Sequence, residues 1–402
     1  MRHSWFVWCG VAMGIATAAV SAQTSQQRPT FRSGVDVIEI DVSVIDSDGR
    51  PITDLAPPEF TVAIDGEARR VVQAQFISLR PAQYDRRGAD PESPEIFVSS
   101  NAAQQRGRLI VIAVDEESIL FGEGRHVMRA AAEFVDKLTP IDRVALMAIP
   151  AGRYLDFTSD HDRIRRQVDG MSGLGQRARR DLNIGLYEAF QIAEYRDTDL
   201  QGELTTRECG PLESLDVSCA SMVWIESRTI VQEVRFDAIN SRRGLEAILR
   251  ALGDFEGPKA LVWISGGFVI AREASFLREI EDLAASSRTT VYVIVDEPQI
   301  DTTEASAQPT RQEDARMKEA GLQAITAIAR GDILRARYHP GPIFDRLEEE
   351  LSGYYLLGVE AGPTDRDEDR RSINVSVRRE VRFTSEQDVN QSVDERLARM
   401  LR

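Results

Sequence analysis

Lysine is almost missing from this chain of 402 residues: Lys137, Lys259 and Lys318 stand alone, and the rest of the 49 basic residues are arginine. Set against 65 acids, they leave a net charge of −16. So acidic a surface repels phosphate backbones and anionic lipid, which argues against a nucleic-acid partner. The arginines at 177, 179 and 180 read as a solvated face rather than an anion grip. Histidine is scarce too. His3, His126, His161 and His339 are scattered without ligand spacing, so a histidine-dependent triad or metal site has little support. Cysteine is limited to Cys9, Cys209 and Cys219, and no histidine lies near the last two to complete a zinc set. Long apolar runs are also lacking. The best, Trp5 to Val20, is shorter than the roughly 20 residues of a spanning helix and contains Gly and Thr.

What that run does fit is export. Arg2 and His3 precede it and Val20-Ser21-Ala22 closes it, which predicts a secretory signal peptide over residues 1–22, cleaved near Ala22. The mature chain is then periplasmic or secreted, with no membrane span. Cleavage removes Cys9 and leaves Cys209 and Cys219, ten residues apart, to form one disulfide.

Residues 31–80 form a small β module. VDVIEIDVSVID (35–46) alternates apolar with polar or acidic residues, as a half-buried strand does. Phe60 to Ile64 is a second strand, Asp65-Gly66 a hairpin turn, and Val71 to Leu79 alternates again. Residues 81–105 are polar and proline-bearing, a linker. From 106 to 346, fully apolar strands at Leu109–Val114, Val144–Ile149, Ala260–Ile264 and Val291–Val295 alternate with amphipathic helices. That pattern predicts an α/β fold: a doubly wound, mostly parallel sheet covered on both faces. Helices are expected at Glu123–Leu138, Ser159–Val168, Leu182–Ala193, Ser227–Leu252, Ala274–Ala285, Ala315–Ala329 and Ile343–Leu351, with a polar insert at 197–223 and a surface loop at 298–313. Strand periodicity returns over 352–385, and these late strands are expected to complete a small β-sandwich with the N-terminal module. Residues 386–402 read as a tail.

Ligand sites in such sheets lie beyond the carboxyl ends of the strands, where Asp115, Ser265 and Asp296 fall. The ordered set LTPIDRVALMAI (138–149), DFTSD (156–160) and GPKALVWISGGF (257–268) resembles a von Willebrand factor A domain. IDVSVIDSDGRP (40–51) before it, with LEEELSGYYLLGV (347–359) and RRSINVSVRR (370–379) after it, is similar to the exported bacterial VWA-related proteins described from acidobacteria. The resemblance implies an interaction or adhesion module that meets another protein at the top of the sheet. In the family a metal-ion-dependent adhesion site does this with Asp-x-Ser-x-Ser, a Thr and a later Asp. Here Asp115 is kept, Glu117 and Ile119 hold the two Ser positions, Ile184 or Asn183 stands for the Thr, and Gly266 replaces the later Asp. The expectation is a degenerate site without a tightly held cofactor. Asp115, Glu117 and Ser118 are the residues left to reach a Mg or Ca ion. Asp115 on its own reads as a cap for the loop that leads into the helix starting near Gly122, accepting backbone N–H groups. The binding face is expected to include Asp115, Glu117, Ser118, Asn183, Ser265 and Gly266, with Trp224 a candidate exposed anchor.

The run Asp115-Glu116-Glu117-Ser118-Ile119-Leu120 also resembles the phosphotransfer loop of haloacid-dehalogenase-like hydrolases. That would make Asp115 a nucleophile and Glu117 its acid/base partner. The lysine such an enzyme needs after Ser265 does not occur until Lys318, so the chain is expected not to be an enzyme.

Overall fold

The computed structural model describes residues 37–46, 49–79, 107–150, 152–176, 180–210, 217–270, 275–296, 310–363, 365 and 371–378, with 398–401 as backbone. The expected signal peptide, the linker and the end of the expected 352–385 strand region, from 379 on, lie outside the described residues, as does most of the 298–313 loop. The chain begins with strands β1 (Val37–Val44), β2 (Phe60–Ile64), β3 (Glu67–Arg69) and β4 (Val71–Ser78). Next come β5 (Leu109–Asp115), α1 (Arg125–Lys137), β6 (Arg143–Ile149), β7 (Tyr154–Thr158) and α2 (His161–Asp169). Three helices follow in succession: α3 (Leu186–Ala193), α4 (Thr198–Cys209) and α5 (Val217–Leu252). Then β8 (Lys259–Ser265), α6 (Phe276–Ser286), β9 (Thr289–Asp296), α7 (Arg311–Ile328), β10 (Ile333–Ala336) and α8 (Gly341–Glu350) alternate. The chain returns to strand in β11 (Gly353–Glu360), β12 (Ile373–Val377) and β13 (Ala398–Leu401).

The main sheet has the order β10-β9-β8-β5-β6-β7, parallel throughout except for β7 at its edge. Every residue of β5, β8 and β9 is buried, because both faces are covered by helices. Alternation divides them. Ile110, Ile112 and Val114 of β5 pack with Val127, Phe134 and Val135 of α1, Ile164 of α2 and Phe344 of α8. Val111 and Ala113 face Leu245 and Leu249 of α5, Ile280 of α6 and Leu322 of α7. At roughly 1.5–3 kcal/mol for each large side chain buried, these two layers dominate the fold's stability. Asp160 caps α2 by accepting from Arg163 N at 3.0 Å.

The terminal segments build two small antiparallel sheets, β13-β1-β11-β4 and β12-β2-β3. Asp65 and Gly66 turn the β2–β3 hairpin with φ of 50° and 84°, the left-handed pair a two-residue hairpin demands. Both sheets contribute to one apolar cluster, with Ile40 and Val42 from β1, Val62 and Ile64 from β2, Tyr355 and Leu357 from β11, and Val375 from β12. The late strands do not simply lie across the early ones. β11 inserts between β1 and β4, and β12 extends β2. Residues 398–401, expected as tail, pair with β1 as β13.

The described residues of the polar insert at 197–223 are largely helical. They form α4 and the start of α5, which begins ten residues before the expected Ser227 and is 36 residues long. Cys209 and Cys219 join these two helices in a disulfide, Cα–Cα 5.9 Å. In the other direction α3 begins at Leu186 rather than Leu182. Glu188 accepts from Gly185 N at 3.0 Å, and Asp314 of α7 takes the amides of Leu186 and Tyr187 at 2.9 and 2.7 Å. Leu182 and Ile184 stay outside the helix and are buried against α3, α4 and α5. No helix among the described residues is long and apolar enough to cross a membrane.

Candidate functional site

β5 lies at the centre of the main sheet, between β8 and β6, so its carboxyl end brings Asp115 to the middle of the strand tips. Asp115 is 1% exposed. Its Oδ2 accepts from Ser241 Oγ at 2.7 Å and, at the long limit of 3.4 Å, from Ser265 Oγ. Ser118 completes the cluster. Its hydroxyl donates to the Asp115 main-chain oxygen at 2.8 Å, lies 3.1 Å from Ser265 Oγ, and accepts from Gly266 N at 2.9 Å. Burial pushes the Asp115 carboxyl up to about 7, and the hydroxyls of Ser241, Ser118 and Ser265 oppose that rise only in part. Asp115 Oδ1 is buried without a hydrogen-bond partner.

Of the cap expected from Asp115, the part within its own loop is present: the Ser118 hydroxyl and N–H both favour the ionised carboxyl. The helix itself is not capped by it, since α1 starts behind Gly124, at φ 77° and with no side-chain cap. The intervening loop is held instead by main-chain bonds to residues 173–175. Phe121 N donates to Gly175 O at 2.8 Å, Gly122 N to Gly173 O at 3.0 Å, Gly175 N to Ile119 O at 2.8 Å, and Leu174 N to Glu116 O at 2.7 Å. This small ladder turns Phe121 and Leu174 out to solvent, 72% and 47% exposed.

The expected binding-face residues therefore divide. Asp115, Ser118, Ser265 and Gly266 meet in one hydrogen-bonded cluster. Glu117 is exposed, and its charge, with that of Glu233, adds to burial in raising Asp237. Asn183 is exposed and tied to α4: its N–H donates to Glu208 Oε2 at 2.9 Å and its carbonyl accepts from Arg207 at 2.7 Å. Trp224 is part-exposed, with the Arg228 guanidinium stacked on it at 4.7 Å. Arg180, from the arginine cluster, pairs with Glu233 at 2.9 Å.

Sequence reasoning missed Ser241. It lies in the middle of α5 and reaches Asp115 across 126 residues of chain. The available signal was spacing: Ser241 and Gly244 are small residues one turn apart on a helix that packs closely on the sheet. A Cβ at Gly244 would meet Ile149 Cγ2 at 2.7 Å. A second buried acid, Asp296, ends β9. Burial raises it, His126 pulls the other way from 3.6 Å, and Asp296 Oδ1 has no hydrogen-bond partner.

No protein-family model matches the chain, and no curated protein matches it. Among solved structures it is similar to an aerotolerance-related membrane protein from Bacteroides fragilis NCTC 9343, with 16% identity and a TM-score of 0.30 over 61% of this chain and 98% of that one. It is also similar to the TFIIH p34 N-terminal domain, with 10% identity and a TM-score of 0.24 over 61% of this chain and 96% of that one. Neither superposition is close enough to bear on function.

Proposed function

We propose that this is an exported protein-interaction module of the von Willebrand factor A type. It meets its partner at the strand tips, without a tightly bound cation and without catalysing a reaction. In this reading the two small sheets, which share one apolar cluster, form the expected sandwich beside the main domain.

The observation that carries the metal-free reading is the packing at Gly266. A Cβ there would lie 2.3 Å from the Ser118 main-chain oxygen, so the position of the family's later Asp has no room for a side chain. Of the two residues that could stand for the Thr, Ile184 is buried among apolar residues of α3, α4 and α5, and Asn183 has its backbone bonded to Glu208 and Arg207 of α4. What remains is one carboxyl and three hydroxyls. That set carries one carboxylate fewer than the family's, and its hydroxyls are bonded to one another and to Asp115, which favours the reading without a tightly held cation. A rebuilt Mg or Ca site through Asp115 is the second reading, favoured by the partnerless Asp115 Oδ1. Against phosphotransfer stands the burial of Asp115, while Glu117 points to solvent rather than into a shared site.

Phe121 and Leu174 are the contact residues proposed for the partner, since a rigid main-chain ladder presents them together. Affinity capture with the exported protein tests this, with and without EDTA. Capture that survives EDTA and is lost in the Phe121→Ser/Leu174→Ser variant supports the reading. Calorimetric titration with Mg²⁺, Ca²⁺ and Mn²⁺ is the companion measurement. Stoichiometric binding abolished by Asp115→Ala overturns the metal-free reading in favour of the rebuilt site.

A further inference from the structure

α5 has two apolar faces, and the fold uses one. Val223, Ile230, Val231, Leu245 and Leu249 are buried against the rest of the molecule. On the opposite side Met222, Ile225, Phe236 and Ile239 are 39%, 55%, 63% and 40% exposed. Thr229 and Gln232, also exposed, fill the gap between them. From 222 to 239 these six positions advance by alternating steps of three and four, which is the seam of a helix that packs lengthwise on another helix.

The charges beside the seam say which helix. Arg228 and Arg235 flank one side of it, Glu226 and Glu233 the other. If a second α5 lay antiparallel, arginine flank would meet arginine flank and glutamate would meet glutamate. If it lay parallel and in register, each arginine flank would meet a glutamate flank. Arg228 would then reach Glu233 of the second copy, five residues on, twice by symmetry. Both groups are positioned for this: Arg228 is stacked on Trp224 at 4.7 Å, and Glu233 is held by Arg180 at 2.9 Å on an exposed surface.

We infer that the exposed face of α5 is a self-association surface, occupied by α5 of a second copy of this chain in parallel, with Met222, Ile225, Phe236 and Ile239 as its apolar layers. The Thr229 and Gln232 layers between them would fix the register and lower the affinity, as polar layers in such seams do. The inference does not rest on the function proposed for the strand-tip site.

Light scattering and sedimentation of the full chain up to on the order of 100 μM test the inference. A concentration-dependent dimer is expected, abolished by Ile225→Asp/Phe236→Asp, whose circular dichroism should be unchanged because both positions face solvent. Arg228→Glu should weaken the dimer about tenfold, and Arg228→Glu/Glu233→Arg should restore it. Orientation is read by oxidative cross-linking in a Cys9→Ser background. Thr229→Cys alone should give the covalent dimer, since parallel pairing sets each residue against its own copy. A chain that stays monomeric throughout, or cross-linking that needs Thr229→Cys and Gln232→Cys together, overturns the proposal.

Discussion

One strand separates two buried acids with opposite fates. At the amino end of β5, Asp142 is fully buried yet accepts five hydrogen bonds, from Arg108 N, Nε and Nη2 at 2.8, 3.1 and 2.6 Å and from Thr139 N and Oγ1 at 2.8 and 2.9 Å. Burial alone would raise it, but the Arg108 guanidinium, together with the backbone N–H groups of Arg108 and Thr139, holds it below the usual carboxylate range. At the carboxyl end Asp115 is buried as deeply, meets neutral hydroxyls and the Ser118 N–H, and is raised to about 7. The lower end is closed by compensated charge. The upper end keeps an acid whose charge no cation among the described residues balances, and binding sites in doubly wound sheets lie at that end.

The contrast is broken most directly from below. Asp142→Asn leaves the buried Arg108 facing only Glu348, 3.7 Å away, and should cost about 3–5 kcal/mol in urea unfolding. A loss under about 1 kcal/mol would mean that Glu348 compensates Arg108 by itself, and that the two ends differ less than their geometry suggests. The next effect is a slope. Because the folded pKa of Asp115 lies above its unfolded value, the native state holds the extra proton between about pH 4 and 7. Its contribution to stability therefore falls as pH rises through that window, by up to roughly 4 kcal/mol, and is level above it. Asp142, shifted down, works the other way: its stabilisation is present above the unfolded pKa and is lost as pH falls. Subtracting the stability–pH curve of Asp115→Asn from that of the parent should isolate the first slope, and a flat difference would refute it. The smallest effect sharpens the picture. Ser241→Ala should cost about 1–2 kcal/mol by thermal unfolding, and more at about pH 8 than at about pH 5, because the hydroxyl serves the ionised carboxyl best.

Much of the main sheet was legible because β5, β8 and β9 are continuous apolar runs, and a run buried on both faces needs no partner to be recognised. α4 was not legible. TDLQGELTTREC is polar with few apolar residues, and only Leu204 and Thr205 are buried along it. The start of α3 was misread because Leu182 and Ile184 carry helical periodicity, whereas the break is imposed by Asp314, more than 120 residues away. At the site, the first loop showed Asp115 and Ser118 directly, and β8 showed Ser265. Ser241 is a single hydroxyl in a long helix, with no local motif to mark it. Asp115 was expected to cap the loop ahead of the helix; Ser118 does serve its carboxyl from that loop, and the tertiary contact with Ser241 adds what local chemistry could not show.

The position of β11 has a consequence for the order of events in folding. β1 has β11 on one edge and β13 on the other, and β4 is held to the same sheet through β11. The bond from Leu55 N to Tyr355 Oη closes 300 residues of chain. Within the main sheet, by contrast, β5 and β6 pair across about the length of one helix, at much smaller loop-closure cost. The α/β region can therefore condense while β1 and β4 still present open strand edges. Those strands stay at risk of pairing with other chains until residues 353–360 arrive to separate them.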